Sequence, residues 1–376
     1  MKTVYTFLVA LFPILTACGN NNAKDLGQEN ETINNLAIAL DSTEQLAEST
    51  LREISITAVG DIMLGSGYPS VTNLPPNDGK NSFDAVANYL NGDIVFGNLE
   101  GCFLNSGESS KCKYSKPGSC YAFRMPESYG NIIKDAGFNV LSIANNHVGD
   151  FDNKGRKKTM EVLDALQINY AGQTNCPYAL FEENGIKYAF CAFAPNENTL
   201  SINKIDSAKI LVKELKSKAD IVIVSFHGGA EGTTHERVPK RNEIFFNENR
   251  GNVYAFAHGV IDAGADVVLG HGPHVTRAVE VYKNKFIAYS LGNFCTYGMF
   301  NLKGPNGFAP LVQLKINKEG DFIKADIISI KQDKVNGLQL DETYAAFNRM
   351  QYLTDLDFPD HNLLFKDNSI TLKESR

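Results

Sequence analysis

No apolar run in this chain reaches the roughly 18 residues that a membrane-crossing helix needs. A positive charge excess is also missing. Lys and Arg number 36 against 43 Asp and Glu, a net charge of −7, which excludes the basic footprint of a nucleic-acid binder. No internal repeat is visible, which argues against a solenoid. The seven cysteines do not fall at zinc-ribbon spacing. Histidines are equally few, seven in 376 residues, and four of them stand directly after apolar runs.

What remains describes an exported α/β protein. A hydrophobic content of 43% and 31 glycines fit a large core joined by tight loops. Lys2 precedes a short apolar run, Val4 to Leu15, as in a secretory signal. Leu15-Thr16-Ala17-Cys18 resembles the lipobox of bacterial lipoproteins. Residues 1–17 are therefore expected to be a signal peptide and Cys18 a lipidated amino terminus. Residues 18–52 form a tether, with Ile33, Leu36, Ala37 and Leu40 at helical spacing. The expected location is the cell-envelope membrane, reached through the lipid anchor. An oxidising compartment permits disulfides. One pair is expected among Cys102, Cys112 and Cys120, with connectivity open. Cys191 reads as a buried thiol.

Ile54 to Val59 reads as the first core strand and Phe83 to Leu90 as helical. Strands follow at Asp93 to Phe96, Phe138 to Ala144, Ala219 to Phe226 and Ala265 to Leu269. Helices are expected at Ser128 to Ala136, Lys157 to Leu166, Ser207 to Lys218 and Asn252 to Ala263. Residues 104–121 read as a long loop at the rim of a site. Hairpins are expected to turn at Asn184-Gly185, Lys283-Asn284 and Glu319-Gly320. Early alternation and late hairpins predict a pair of sheets flanked by helices. A domain over 53–335 and a carboxy-terminal helix and polar tail over 336–376 complete the division.

Five strand-like runs end in Gly60-Asp61, Gly97-Asn98-Leu99-Glu100, Asn145-Asn146-His147, His227-Gly228-Gly229 and Gly270-His271-Gly272-Pro273-His274. In an open α/β sheet the carboxyl ends of strands converge on one crevice. Carboxylate, amide and imidazole are the donors of a hydrolytic metal site. A divalent transition metal, Mn, Zn or Fe, as one or two ions, is the expected cofactor.

Six ordered blocks carry a family likeness. They are Ala58-Val59-Gly60-Asp61-Ile62-Met63-Leu64, Phe96-Gly97-Asn98-Leu99-Glu100-Gly101, Leu141-Ser142-Ile143-Ala144-Asn145-Asn146-His147, Val224-Ser225-Phe226-His227-Gly228-Gly229-Ala230-Glu231, Gly264 to His274, and Ala288-Tyr289-Ser290-Leu291-Gly292-Asn293-Phe294. Together they resemble the bacterial capsule-synthesis CapA, or poly-γ-glutamate biosynthesis, family, which is related to calcineurin-like metallophosphoesterases. The resemblance implies an α/β/β/α four-layer sandwich with a two-metal site. It implies Asp61, Glu100 (with Asn98 as the alternative at the bridging place), Asn146, His227, His271 and His274 as metal ligands and His147 as the catalytic imidazole. Asn98, Glu231 and Asn293 are implied as substrate or outer contacts. Two departures stand out. Met63 occupies the place of a ligand histidine and is a poor donor for a hard hydrolytic metal, so the ion nearest it is expected at lower occupancy. Gly97-Asn98-Leu99-Glu100 replaces Gly-Asp-x-x-Asp.

His235, His258 and His361 lie outside the blocks; His258 reads as a packing or surface residue and His361 as solvated. Arg124 and Arg277 are read either as contacts to an anionic substrate or as salt bridges. Three functions follow from the resemblance: a metal-dependent hydrolase of a phosphoester or related bond, a non-catalytic envelope protein supporting polymer assembly or export, and a γ-glutamyl amide hydrolase or transferase. The implied partners are the membrane and an anionic polymer or its synthesis machinery.

Overall fold

Period-two alternation divides each apolar run between two cores. The computed structural model describes residues 53–114 and 120–374; Cys18 and the expected signal peptide and tether lie outside the described residues. The chain first lays down β1 (Ile54–Met63), β2 (Ile94–Leu99), β3 (Val140–Ser142) and β4 (Asn169–Ala171). It then crosses to a second sheet with β5 (Tyr178–Glu183), β6 (Ile186–Ala194), β7 (Ile221–His227), β8 (Val267–His271), β9 (Val279–Tyr282) and β10 (Lys285–Ala288). It returns with β11 (Asn293–Thr296), β12 (Phe308–Ile316), β13 (Phe322–Asp333), β14 (Leu363–Lys366) and β15 (Ser369–Leu372). The first sheet runs β14-β15-β13-β12-β1-β2-β3-β4, with β11 also paired to β1; the second runs β9-β10-β8-β7-β6-β5.

In β1, Ile54, Ile56 and Ala58 face the second sheet, while Val59 joins the opposite core. In β7, Ile221 and Ile223 face the first sheet, and Val222 and Val224 face away. This is the pleat repeat of two. It explains why a strand covered on both sides reads as continuously apolar. Phe96 of β2 meets Phe190 of β6 across the gap, with ring centroids 5.6 Å apart. Helices α1 (Tyr129–Asp135) and α2 (Asp152–Ala165) cover the first sheet through Ile133 and Leu163. Helices α3 (Ile205–Lys216) and α4 (Val253–Asp262) cover the second through Val212, Phe256 and Val260. The layer order is therefore α/β/β/α, as the family resemblance implies.

Local expectations mostly match, with four corrections. Phe83 to Leu90 forms only 3₁₀ turns over Asp84–Tyr89. The helix expected from Lys157 begins at Asp152, and Gly155, Thr159 and Leu163 are its buried positions, while Ala165 is exposed. Gly155 is read there because Cys102 Sγ would lie 2.9 Å from a Cβ at that position. The segment after residue 340 is not only helix and polar tail. It supplies α5 (Ala345–Asp357) and the hairpin β14–β15, which extends the first sheet. Leu363 and Ile370 enter the core between the sheets. His361 is not solvated, since its ring meets Asp355 at 2.8 Å and accepts from the Leu363 N–H.

Candidate metal centre

Strand register assembles the centre. Asp61 of β1 stands opposite Asn98 of β2 on one side and Asn293 of β11 on the other. In the second sheet, His227 and His271 are register partners at the ends of β7 and β8. Gly60 precedes Asp61 because no side chain fits: a Cβ would stand 2.0 Å from the Gly292 carbonyl oxygen. That close approach lets the Asp61 N–H donate to the same oxygen at 2.9 Å. Gly272, at φ +113°, passes so near Gly228 that a Cβ would lie 2.8 Å from its nitrogen. The turn then carries His274 into the left-handed region at φ 57°. A histidine tolerates that region better than a branched residue. The result spans the sheets: His274 Nδ1 lies 2.9 Å from Asp61 Oδ2, and its Nε2 lies 3.6 Å from Glu100 Oε1.

Asp61, Glu100 and His227 offer ligand atoms that all lie within 4.8 Å of one another. His271 Nδ1 is 3.3 Å from Asp61 Oδ1. Asn98 donates its amide to Asp61 Oδ1 at 2.8 Å and to Glu100 Oε2 at 3.4 Å, and accepts from Asn145 at 3.1 Å. It therefore braces the two carboxylates, and Glu100 retains the oxygen turned to the centre. Among the described residues, several buried atoms here have no hydrogen-bond partner: Glu100 Oε1, Asn146 Oδ1, and both ring nitrogens of His227 and His271. Unpaired buried polar atoms are rare and costly. Imidazole, carboxylate and amide oxygen are together a donor set for a first-row divalent ion. The residues fit a metal.

Electrostatics agree. Burial opposes ionisation of Asp61, but the neighbouring imidazoles of His271 and His274 hold its carboxyl below the carboxylate range. Burial, reinforced by the charge on Asp61, pushes Glu100 well above that range. Burial drives His227 well below the usual imidazole value, so it is neutral and ready to ligate. His274 goes the other way. Burial works against its charge, but Glu100 and Asp61 outweigh it and push the imidazole up to about 10.

Beside these groups lies His147. Asn145 Oδ1 accepts from the N–H groups of His147 and Val148 at 3.0 and 2.9 Å, fixing the turn after β3. His147 Nδ1 is held by Asp150 Oδ2 at 2.7 Å, and Lys111 binds the other oxygen of that carboxylate. Phe123 stacks on the imidazole at 4.0 Å. The loop bearing Lys111 and Phe123 is closed by the disulfide Cys112–Cys120, the pair the sequence left open. Cys102 is a free buried thiol, as is Cys191. Burial lowers the His147 pKa despite the charge on Asp150.

All six expected ligands, His147, Asn98 and Asn293 thus meet at one place. A cavity of about 520 Å³ opens over them, lined by Asn146, His147, His274 and Asn293 and also by Glu231, Lys111 and Arg250. Met63 stays outside, buried in the helix-covered core of the first sheet. The two arginines considered for substrate are structural. Arg124 bonds the carbonyls of Gly67 and Gly107. Arg277, fully buried, forks onto Glu243 at 2.9 and 2.8 Å. His258 packs between Tyr254 and Tyr282 and pairs with Glu280 at 2.9 Å. Asp150, Lys111 and Arg250 are site residues that no motif pointed to, and Asn145, though inside a block, was given no role of its own. Asp150 had a readable signal, three positions after His147 on a tight turn. Lys111 and Arg250 had none, because long-range folding alone brings them in.

Residues 55–297 match the family described as bacterial capsule synthesis protein PGA_cap. The chain belongs to that family. It is 31% identical over 281 residues to the capsule biosynthesis protein CapA of Bacillus anthracis, covering 67% of this chain and 62% of that protein. It is 28% identical over 262 residues to the PGA biosynthesis protein CapA of Bacillus subtilis, covering 64% and 63%. The match thus spans under two thirds of these relatives' length. Among solved structures, a hypothetical protein from Thermus thermophilus aligns with TM-score 0.44 and 15% identity over 74% of this chain and 100% of that one. Haemophilus influenzae NAD nucleotidase aligns with TM-score 0.41 and 15% identity over 77% and 58%. The PGA_cap match contains every candidate ligand from Asp61 to His274 and ends just past Asn293.

Proposed function

We propose that this chain is an envelope metal-dependent hydrolase that cleaves a phosphoester or related anionic bond in the making of a capsule or poly-γ-glutamate-type polymer. The observation that carries this reading is the set of buried, unpartnered donor atoms on Glu100, Asn146, His227 and His271 around Asp61. A bound metal would satisfy these atoms.

In this reading Asp61, Glu100, Asn146, His227, His271 and His274 hold one or two divalent transition metals. Such a metal supplies Lewis-acid polarisation of an anionic substrate oxygen. Asn98 keeps the two carboxylates at their spacing. His147, with Nδ1 committed to Asp150, offers Nε2 to the leaving oxygen as general acid. Lys111 holds Asp150 in place from the other side. Asn293 and Glu231 line the approach to the site.

His271→Ala removes a ligand, so the purified variant should retain much less Mn or Zn by elemental analysis; full retention would count against the assignment. Metal binding should also release protons. Ligands must be deprotonated, yet in the metal-free site the carboxylates beside His274 hold its proton up to a pH of about 10. Affinity should therefore rise with pH up to about 10, where His274 loses its proton. Calorimetry in buffers of differing ionisation enthalpy checks this, and the absence of a buffer-dependent heat would sink it.

The membrane attachment is also part of the reading. The Leu15-Thr16-Ala17-Cys18 sequence implies cleavage before Cys18 and lipid on its thiol; a two- or three-chain anchor holds stably where one chain does not. Mass spectrometry of protein from its native host should find no intact 17–18 bond.

A further inference from the structure

Phe246 breaks two local rules at once, and it does so at the mouth of the metal centre. It stands at the tip of the small hairpin pairing Ile244–Phe245 with Glu248–Asn249. The two turn residues, Phe246 and Asn247, both have positive φ, 46° and 63°. That turn favours Asn-Gly or Asp-Gly, because a large side chain is disfavoured at positive φ. Asn247 conforms and Phe246 does not. The ring is also 87% exposed, so burial returns nothing for the disfavoured backbone. Among the described residues its one ring neighbour is Phe245, at 4.5 Å and steeply inclined. Residues that defy local preference without internal compensation concentrate at functional sites.

The surroundings say what such a ring would touch. Phe246 and the half-exposed Tyr121, from separate loops, line the same cavity as His147 and His274. Deeper in, Phe123 and Phe300 are already engaged: Phe123 stacks on His147, and Phe300 meets His274 edge-on at 5.3 Å. Below the turn, Phe245 rests 5.6 Å from the Arg250 guanidinium, which Glu231 holds at 2.9 Å. The hairpin is thus fixed from beneath while its tip ring stays exposed. The cavity is graded, with charge and metal-ligating side chains at its floor and the exposed rings of Tyr121 and Phe246 at its rim.

Resting on the hydrolase reading above, we infer that Phe246 and Tyr121 form a subsite for a flat apolar group, so that the substrate carries its scissile anion on a ring-bearing moiety. Ring faces and edges select planar partners over small alkyl groups. Phosphonates test this without turnover. With Mn-loaded protein, phenylphosphonate should bind on the order of 10-fold more tightly than methylphosphonate in calorimetry. Phe246→Ser should bring the two affinities together, and Phe246→Tyr should restore the difference. A thermal melt checks that the exposed substitutions leave the fold intact. Equal binding of the two phosphonates by the wild type would overturn the subsite while leaving the hydrolase reading standing. If neither phosphonate bound, both would fall. The competing occupant of an exposed ring is a lipid surface. Should Phe246→Ser weaken cosedimentation with phosphatidylglycerol–phosphatidylcholine vesicles but leave the phosphonate ratio unchanged, the subsite is overturned in favour of membrane contact.

Discussion

Replacing His147 with alanine should lower turnover by roughly 10²–10⁴-fold, the range for loss of an acid–base group, while bound metal and fold remain largely intact. The imidazole is set up for one task. Asp150 takes Nδ1 at 2.7 Å, and Phe123 stacks on the ring. Only Nε2 is left for the cavity. The pH dependence has a definite sign. Burial lowers the His147 pKa, and a general acid works only while protonated. At saturating metal, the rate should therefore fall as pH rises through a value below the ordinary imidazole pKa, and His147→Ala should flatten that limb. Steady-state rates and elemental analysis on the same preparation separate this from ligand loss. A variant that kept metal and kept its full rate on every substrate the wild type turns over would remove His147 from the chemistry and favour a non-catalytic envelope role. A wild type active on γ-glutamyl amides but not on phosphoesters would redirect the reading to amide hydrolysis at the same centre.

Arg277→Met should cost about 3–5 kcal/mol, the usual consequence of leaving one member of a buried ion pair alone. For a chain of this size that is a fall in Tm on the order of 10 °C. Arg277 is fully buried and binds both oxygens of Glu243, as well as the carbonyls of Ala230 and His235. Without it, Glu243 keeps one hydrogen bond, from the Ala230 N–H at 3.0 Å. Adding Glu243→Leu to the Met variant should recover part of the loss, because an apolar pair can replace a buried ionic one. A melt unchanged in Arg277→Met would show that the pair contributes nothing.

What the sequence made legible follows from how far each signal reaches. Strands β1, β7 and β8 were visible because each is a short β-branched run closed by glycine. The three hairpin turns were visible because asparagine and glycine suit positive φ; Asn184, Asn284 and Gly320 take it. The candidate ligands were visible because they sit in ordered blocks at strand ends. By contrast, β14 and β15 were missed. Four-residue strands among polar residues carry too little alternation to stand apart from a tail, and only docking beside β13 makes them strands. The start of α2 was missed because Asp152, Asn153 and Lys154 carry no apolar stripe. Lys111 and Arg250 were missed for a different reason. A lone cation in a polar loop looks like any surface charge until the fold decides what lies opposite. For Arg277 the same ambiguity resolved the other way, since its side chain ends in the protein and not in the cavity.

The disulfide beside the imidazole bears on how this protein should be made. Cys112 follows Lys111 directly, and Cys120 stands three residues before Phe123. The bond thus ties together the two side chains that brace His147 and Asp150. Material produced in a reducing cytosol would carry these cysteines as thiols, with the brace no longer covalently closed. Silence of such a preparation in a substrate screen would then report the expression host rather than the protein. Periplasmic or secreted material, with thiols counted before assay, is the preparation whose activity bears on function.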